Sequence, residues 1–310
     1  MRWSEQPPRS PVSWRRGGSC VRRVGGRRGR AAVAQLGVVR RLGTPQFMIG
    51  AIIGDIAGST YEFSGCKETG IELFPIESDF TDDSILTIAT AEALLTDGDY
   101  QTAYRRFGRM YPHPMGGYGV RFGGWLRSDT PQPYNSYGNG SAMRVSPIGF
   151  ALDSVDSVLA EAERSAAVTH DHPEGIRGAQ ATASAVFLAR TGSTKSQIRS
   201  FISARFGYDL DRTVATIRPA YRFNESCQGT VPEAIVAFLD SEDFESAIRL
   251  AISLGGDADT LACITGSIAQ AFYGHIPDEF TATARRLLPS PLLQIADNFT
   301  ARFLHNANVV

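Results

Sequence analysis

Two short acidic clusters, Thr81-Asp82-Asp83 and Asp257-Ala258-Asp259-Thr260, each pack two carboxylates and a threonine hydroxyl into three or four residues. They are remote in the chain, so only folding can unite them. Together they would present four carboxylates and two hydroxyls, hard oxygen donors suited to magnesium or manganese rather than zinc. Left without a cation, four adjacent carboxylates repel strongly in a low-dielectric cleft. A pair of divalent cations is the economical way to neutralise them. Either cluster alone reads well as a helix N-cap, since Asp and Thr are favoured there and the macrodipole favours carboxylates. The duplication, and the Gly255-Gly256 pair that lets backbone approach closely before the second cluster, shift the reading to metal. A calcium loop is excluded, because neither cluster is followed by the Gly and Glu of an EF-hand.

Three further constellations carry weaker signals. Gly54-Asp55-Ile56-Ala57-Gly58-Ser59, followed by Glu62 and Phe63, offers glycines for tight helix packing, and Glu62 on its own reads as a solvated surface residue. Ser136-Tyr137-Gly138-Asn139-Gly140-Ser141 is a glycine-rich turn before an apolar stretch, Ala142 to Phe150. Free backbone N–H groups at a helix start suit a diphosphate. The spacing matches neither the Walker nor the dinucleotide pattern, so a plain turn fits equally. In Thr169-His170-Asp171-His172-Pro173, one histidine as a donor to a sugar or phosphate fits better than mixed zinc ligation beside hard-oxygen clusters.

The elements that must position these groups are helices. Small apolar residues follow the Asp82-Asp83 pair, and helical periodicity marks Leu152 to Ala167, Gly178 to Arg190, Pro232 to Leu239, Ala247 to Leu254 and Leu261 to Tyr273. Pro232, Pro277 and Pro291 are read as lying near helix starts. Ala- and Gly-rich stretches around residues 179–189 and 262–271 suit close helix approach, whereas Pro112 to Tyr137 reads as a long loop. Alternating strand-like runs are scarce, so the fold class expected from periodicity is mainly α.

Composition sets the remaining bounds. An apolar share of 43% and a charged share of 20% describe a globular protein without a membrane-length apolar run. Cys20, Cys66, Cys227 and Cys263 show no C-x-x-C spacing, so neither a zinc site nor a disulfide framework is expected, and a cytoplasmic location is the default. Residues 1–47 are dense in arginine with one acidic residue, Glu5, and leave the rest of the chain net acidic. A basic arm or a transit peptide fits that segment. The preferred reading is a disordered extension ahead of a true start at Met48. The domain is expected over 48–310, as a monomer, with no nucleic-acid or membrane partner.

Taken in order, the blocks resemble the ADP-ribosylglycohydrolase family: Gly-Asp-Ile-Ala-Gly-Ser-Thr-Tyr-Glu (54–62), Phe-Thr-Asp-Asp-Ser (80–84), Tyr-Gly-Asn-Gly-Ser-Ala-Met-Arg-Val (137–145), Thr-His (169–170) and Gly-Gly-Asp-Ala-Asp-Thr (255–260). The resemblance implies a compact all-α fold, an orthogonal helical bundle with two Mg2+ or Mn2+ ions in a central cleft. It implies Thr81, Asp82, Asp83, Asp257, Asp259 and Thr260 as metal ligands, and Glu62 as an acidic residue beside the metals that takes part in catalysis. Ser136, Gly138, Asn139 and Gly140 become a phosphate-cradling loop, and His170 a ribose or phosphate contact.

The chemistry implied is cleavage at C1″ of the distal ribose through an oxocarbenium-like transition state. Glu62, or an aspartate such as Asp82 or Asp259 not fully committed to metal, would be the general base. The substrate is an ADP-ribosylated protein or small molecule, with arginine the foremost acceptor and serine, O-acetyl groups or a nucleobase left open. The alternatives are a metal-dependent phosphohydrolase on a diphosphate and a non-catalytic ADP-ribose-binding protein.

Overall fold

Glycine and alanine at every fourth position put two helices at the centre of the molecule. The computed structural model describes residues 48–304, so the expectations for residues 1–47 lie outside the described residues. The helices are α1 (Gly50–Gly58), α2 (Asp82–Leu95), α3 (Tyr100–Met110), α4 (Val120–Arg127), α5 (Gly140–Met143), α6 (Ser146–Ala151), α7 (Val155–Ala167), α8 (Pro173–Arg190), α9 (Lys195–Phe206), α10 (Val214–Ile217), α11 (Cys227–Asp240), α12 (Phe244–Ile252), α13 (Ala258–Tyr273), α14 (Asp278–Leu287) and α15 (Ser290–Phe303). Among the described residues no strand forms, and two isolated bridges, Thr81 with Met115 and Gly138 with Ser226, pin loops together. The fold is all-α, as the sequence implies.

Gly50, Gly54 and Gly58 form one stripe of α1, and they face Gly266, Ala262 and Ala258 of α13 in reverse order. The two helices therefore run antiparallel with backbones in contact. A Cβ at Gly54 would sit 2.0 Å from the Ala262 carbonyl oxygen, and one at Gly58 2.5 Å from that of Ala258. Only small residues allow such an approach, which also favours Cα–H···O contacts. Gln270 Oε1 accepts from the N–H groups of Ile49 and Gly50, at 3.2 and 2.6 Å, and so satisfies the start of α1. The antiparallel register carries the C-terminal end of α1 to the N-terminal end of α13. Asp55 and Glu62 are thereby delivered to Asp257 and Asp259.

The core surrounds this pair. Helix α13 is buried from Ala258 to Ala271, and α8, α11, α12 and α2 pack around it through Ala, Ile and Val side chains. Two sequence readings need correction. Pro232 lies inside α11, whose N-cap is Ser226, rather than near its start. The proline removes one N–H from the ladder, but the Ser226 cap and the buried run from Thr230 to Leu239 hold the helix through it. The stretch 112–137 is not all loop, because α4 forms within it: Phe122, Trp125 and Leu126 recur at helical spacing and are buried.

Candidate metal centre

The two acidic clusters meet. Thr260 Oγ1 donates to Asp83 Oδ2 at 3.3 Å, across 177 positions of sequence. Asp257 and Asp259 also converge with Glu62: one carboxylate oxygen from each lies within 4.8 Å of the others. Asp82 and Asp83 contribute from the start of α2, and burial together with the charges of Asp55 and Asp257 pushes both carboxyls well above the ordinary range. Asp259 is raised in the same way, by burial and then by Asp257 and Asp83. One oxygen of Asp83, Oδ1, is buried with no hydrogen-bond partner.

Capping explains part of one cluster and little of the other. Thr81 is the N-cap of α2, its hydroxyl accepting from the Asp83 N–H at 3.2 Å. Asp257 occupies the N-cap position of α13 but makes no side-chain capping bond. Its Oδ2 instead accepts from Asn139 Nδ2 at 2.7 Å. Asn139 thus ties the glycine loop directly to the acidic cluster, and its other amide bond goes to Thr230 Oγ1 at 3.1 Å. Gly255, at φ 64°, makes the turn into α13, where a Cβ would strike the Cys66 carbonyl oxygen at 2.6 Å.

Asp55 is the residue sequence reading passed over. It is fully buried and accepts from Thr81 N (3.0 Å), Thr81 Oγ1 (2.7 Å), Ser84 N (3.0 Å) and the Ser84 hydroxyl. One carboxylate on α1 therefore orients the whole first turn of α2. Burial lifts its pKa to about 6 against the lowering effect of those four donors. A lone Asp between Gly54 and Ile56, in an otherwise apolar helix, was the available signal.

Glu62 follows the 3-10 turn Ser59–Tyr61 and is half-buried. Its carboxyl is raised to about 7, first by burial and then by Asp257, Asp55 and Glu225. Gly116, at φ 73°, closes over it, with room for no Cβ, which would lie 2.7 Å from Glu62 Oε2. The Thr81–Met115 bridge fixes this covering loop.

The Ser136–Ser141 turn reaches the cluster through Asn139. Two of its N–H groups are committed: Gly138 N donates to Ser136 Oγ at 3.2 Å, and Asn139 N to the Glu225 carbonyl oxygen at 2.7 Å. His170 is buried behind it, and its Nε2 would lie 3.3 Å from a Cβ at Gly140. His172 is separated from the site by role, since its Nδ1 accepts from Glu174 N at 3.0 Å and caps α8.

The ADP-ribosylglycohydrolase family model matches residues 46–308 of the chain. The chain belongs to the ADP-ribosylglycohydrolase family. As a member it is a hydrolase of that class. Among curated proteins, ADP-ribosylarginine hydrolase Tri1 of Pseudomonas putida is 26% identical over 257 residues, covering 73% of this chain and 69% of its own length. Human ADP-ribosylhydrolase ARH3 is 28% identical over 307 residues, covering 73% and 84%. A solved structure described as an ADP-ribosylglycohydrolase-related protein complex aligns with a TM-score of 0.66 at 27% identity, covering 84% of this chain and 96% of that one. This ADP-ribosylglycohydrolase has, among its described residues, no helix long and apolar enough to cross a membrane.

The acidic cluster of this ADP-ribosylglycohydrolase suits a hard divalent cation on its own chemistry. The donors are all oxygens, one of them a buried orphan, and like charges converge without a described Arg or Lys pairing with them. The described cysteines, Cys66, Cys227 and Cys263, are free thiols; Cys263 lies against Asp83, and burial and then the charges of Asp83 and Asp55 push its thiol well above the ordinary value.

Proposed function

We propose that the protein releases ADP-ribose from ADP-ribosylated arginine by hydrolysing the bond at C1″ of the distal ribose. The observation that carries the reading is the meeting of Glu62, Asp257 and Asp259 within 4.8 Å, joined through Asn139 to a glycine loop backed by His170. Two magnesium or manganese ions held by Thr81, Asp82, Asp83, Asp257, Asp259 and Thr260 would neutralise the carboxylates and supply Lewis acidity to the ribose hydroxyls. The chain's own groups supply the remainder. The loop from Ser136 to Gly140 and His170 hold the diphosphate, and Asn139 keeps that loop in register with Asp257. Glu62 takes the proton of the attacking water as its oxygen bonds to C1″; the C1″–N bond pair leaves with the arginine nitrogen, the cationic guanidinium departing as a neutral guanidine that regains a proton from solvent. Burial and the neighbouring carboxylates raise the Glu62 carboxyl to about 7 in the cation-free protein, a stronger base there than an exposed glutamate. Asp82 and Asp259 would hold the ions, and either one, where an oxygen is not committed to metal, offers an alternative base.

The arginine acceptor is supported by the rim beside Glu62 and by the name of the Pseudomonas relative. Phe63 and Phe223 are exposed, with ring centroids 5.4 Å apart, and the charge of Glu225 reaches Glu62. Aromatic faces and carboxylates together favour a guanidinium over a neutral serine linkage. The free thiols suit a reducing cytoplasm, where the protein acts as a monomer on ADP-ribosylated protein or small-molecule substrates.

The test is a panel of ADP-ribosylated acceptors incubated with protein and magnesium or manganese, with products separated by chromatography. Free ADP-ribose from the arginine conjugate is expected. AMP with ribose phosphate would replace this reading with phosphoryl chemistry, and absence of release from every acceptor would end the enzymatic reading.

A further inference from the structure

Arg144 is the largest fully buried side chain of the protein, and it is a cation. Its guanidinium lies over the Tyr104 ring, 4.1 Å from the centroid, and Nη2 donates to the Ser165 carbonyl oxygen at 2.9 Å and to Thr169 Oγ1 at 2.8 Å. Nε and Nη1 find no hydrogen-bond partner among the described residues. Burying an unneutralised guanidinium is costly, and Arg cannot shed its proton to escape that cost. Helix packing alone would be served by an apolar residue of the same volume.

The Thr169 hydroxyl points at the answer. Its Oγ1 is fully buried and lies 2.7 Å from His170 Nδ1 as well as 2.8 Å from Arg144 Nη2. Arg144 can only donate, so Oγ1 accepts from it. Were His170 protonated on Nδ1, Oγ1 would receive two donors and its own hydrogen would be left unpaired in a dry interior, a penalty of about 1–3 kcal/mol. With Nδ1 bare, the threonine hydrogen goes to Nδ1, and the hydroxyl and Nδ1 are both satisfied.

We propose that Arg144 and Thr169 are positioning residues that lock His170 in the Nε2–H tautomer, so that the imidazole presents a fixed donor to an anionic ligand in the 138–140 loop. The placement of Nε2 agrees: it faces Gly138 and Gly140, whose Cβ positions would lie 3.5 and 3.3 Å away. The ring stays neutral, because burial and then the charges of Arg144 and Arg121 hold its pKa well below the usual value. A neutral, pre-set donor needs no reorganisation when the ligand arrives. Tyr134, whose ring is 6.0 Å from that of His170 and carries the Arg121 guanidinium at 4.9 Å, closes the other side.

This inference rests on the reading that ADP-ribose places its diphosphate in that loop, and the experiment separates the two. Protein with 15N-labelled histidine is examined by long-range 15N–1H correlation, and ADP-ribose affinity is measured by calorimetry with manganese present. Wild type and Thr169→Ser are expected to show His170 as the Nε2–H tautomer. Thr169→Val is expected to populate the Nδ1–H form and to bind ADP-ribose about tenfold more weakly, the loss of one fixed hydrogen bond. An Nδ1–H tautomer in the wild type, or unchanged tautomer and affinity in Thr169→Val, overturns the relay. If wild type shows the Nε2–H tautomer yet fails to bind ADP-ribose, the relay stands as an anion device and the placement of ADP-ribose is what fails.

Discussion

At the scale of residues, the carboxylates gathered at the cleft work against stability. Asp55 rises from 3.8 to about 6 and Glu62 from 4.5 to about 7. Such groups hold protons more tightly folded than unfolded, so the stability they contribute is full below about pH 4 and is lost as pH rises toward 7. Chelator-treated protein is therefore expected to melt at progressively lower temperature between pH 4.5 and 7, and magnesium to recover the loss; a melting temperature that rises over that window contradicts the electrostatics. Asp82→Asn and Asp259→Asn each remove a repelling charge. Both variants should lose hydrolysis by about a thousandfold or more while the cation-free protein melts about 3 °C higher, read by calorimetry. Unimpaired turnover in either would remove that aspartate from the site. Glu62 illustrates what residue types alone could not carry and only the family resemblance offered, because an acidic residue after a tyrosine reads as surface until α1 folds back along α13. Asp55 and Asn139 were missed in their present roles for the same reason: one anchors the start of α2 and the other braces Asp257, and both partners are distant in sequence.

At the scale of elements, the antiparallel α1–α13 contact sets the site. Gly54→Ala would drive a methyl into the Ala262 carbonyl, and no flexible side chain can yield there. A loss of about 3 kcal/mol of stability is expected, with activity falling alongside it in urea titrations. Gly117→Ala, beside the same cleft with nothing near its Cβ, is the contrast, limited to the strain of its φ of 82°. A Gly54→Ala protein as stable as wild type would mean that the stripe does not set the spacing. The helical periods of α7, α8, α12 and α13 were legible because small apolar residues recur at fixed intervals. Element ends were not, since α8 begins at Pro173 and α11 at Cys227, where capping by His172 and Ser226 rather than apolar pattern decides the start. Helix α4 was hidden among glycines and aromatics, and only burial of Phe122, Trp125 and Leu126 reveals it.

At the scale of the whole molecule, four regions far apart in sequence converge on one cleft: the end of α1, the start of α2, the 136–141 turn and the start of α13. The acidic pairs stood out in the sequence as a candidate cluster of hard oxygen donors, by donor type and duplication. Their meeting rests on the Thr260–Asp83 bond and the Glu62, Asp257 and Asp259 cluster, which only the fold supplies. The central claim is that this cluster holds the divalent cations on which hydrolysis depends. It is tested most directly by titrating chelator-stripped protein with Mn2+, following bound ion by electron paramagnetic resonance and ADP-ribose release from an ADP-ribosyl-arginine substrate in the same samples. The account predicts two bound ions per chain, with activity rising as they bind and both signals lost in Asp259→Asn. Full hydrolysis before any manganese binds, or undiminished binding in Asp259→Asn, would contradict it.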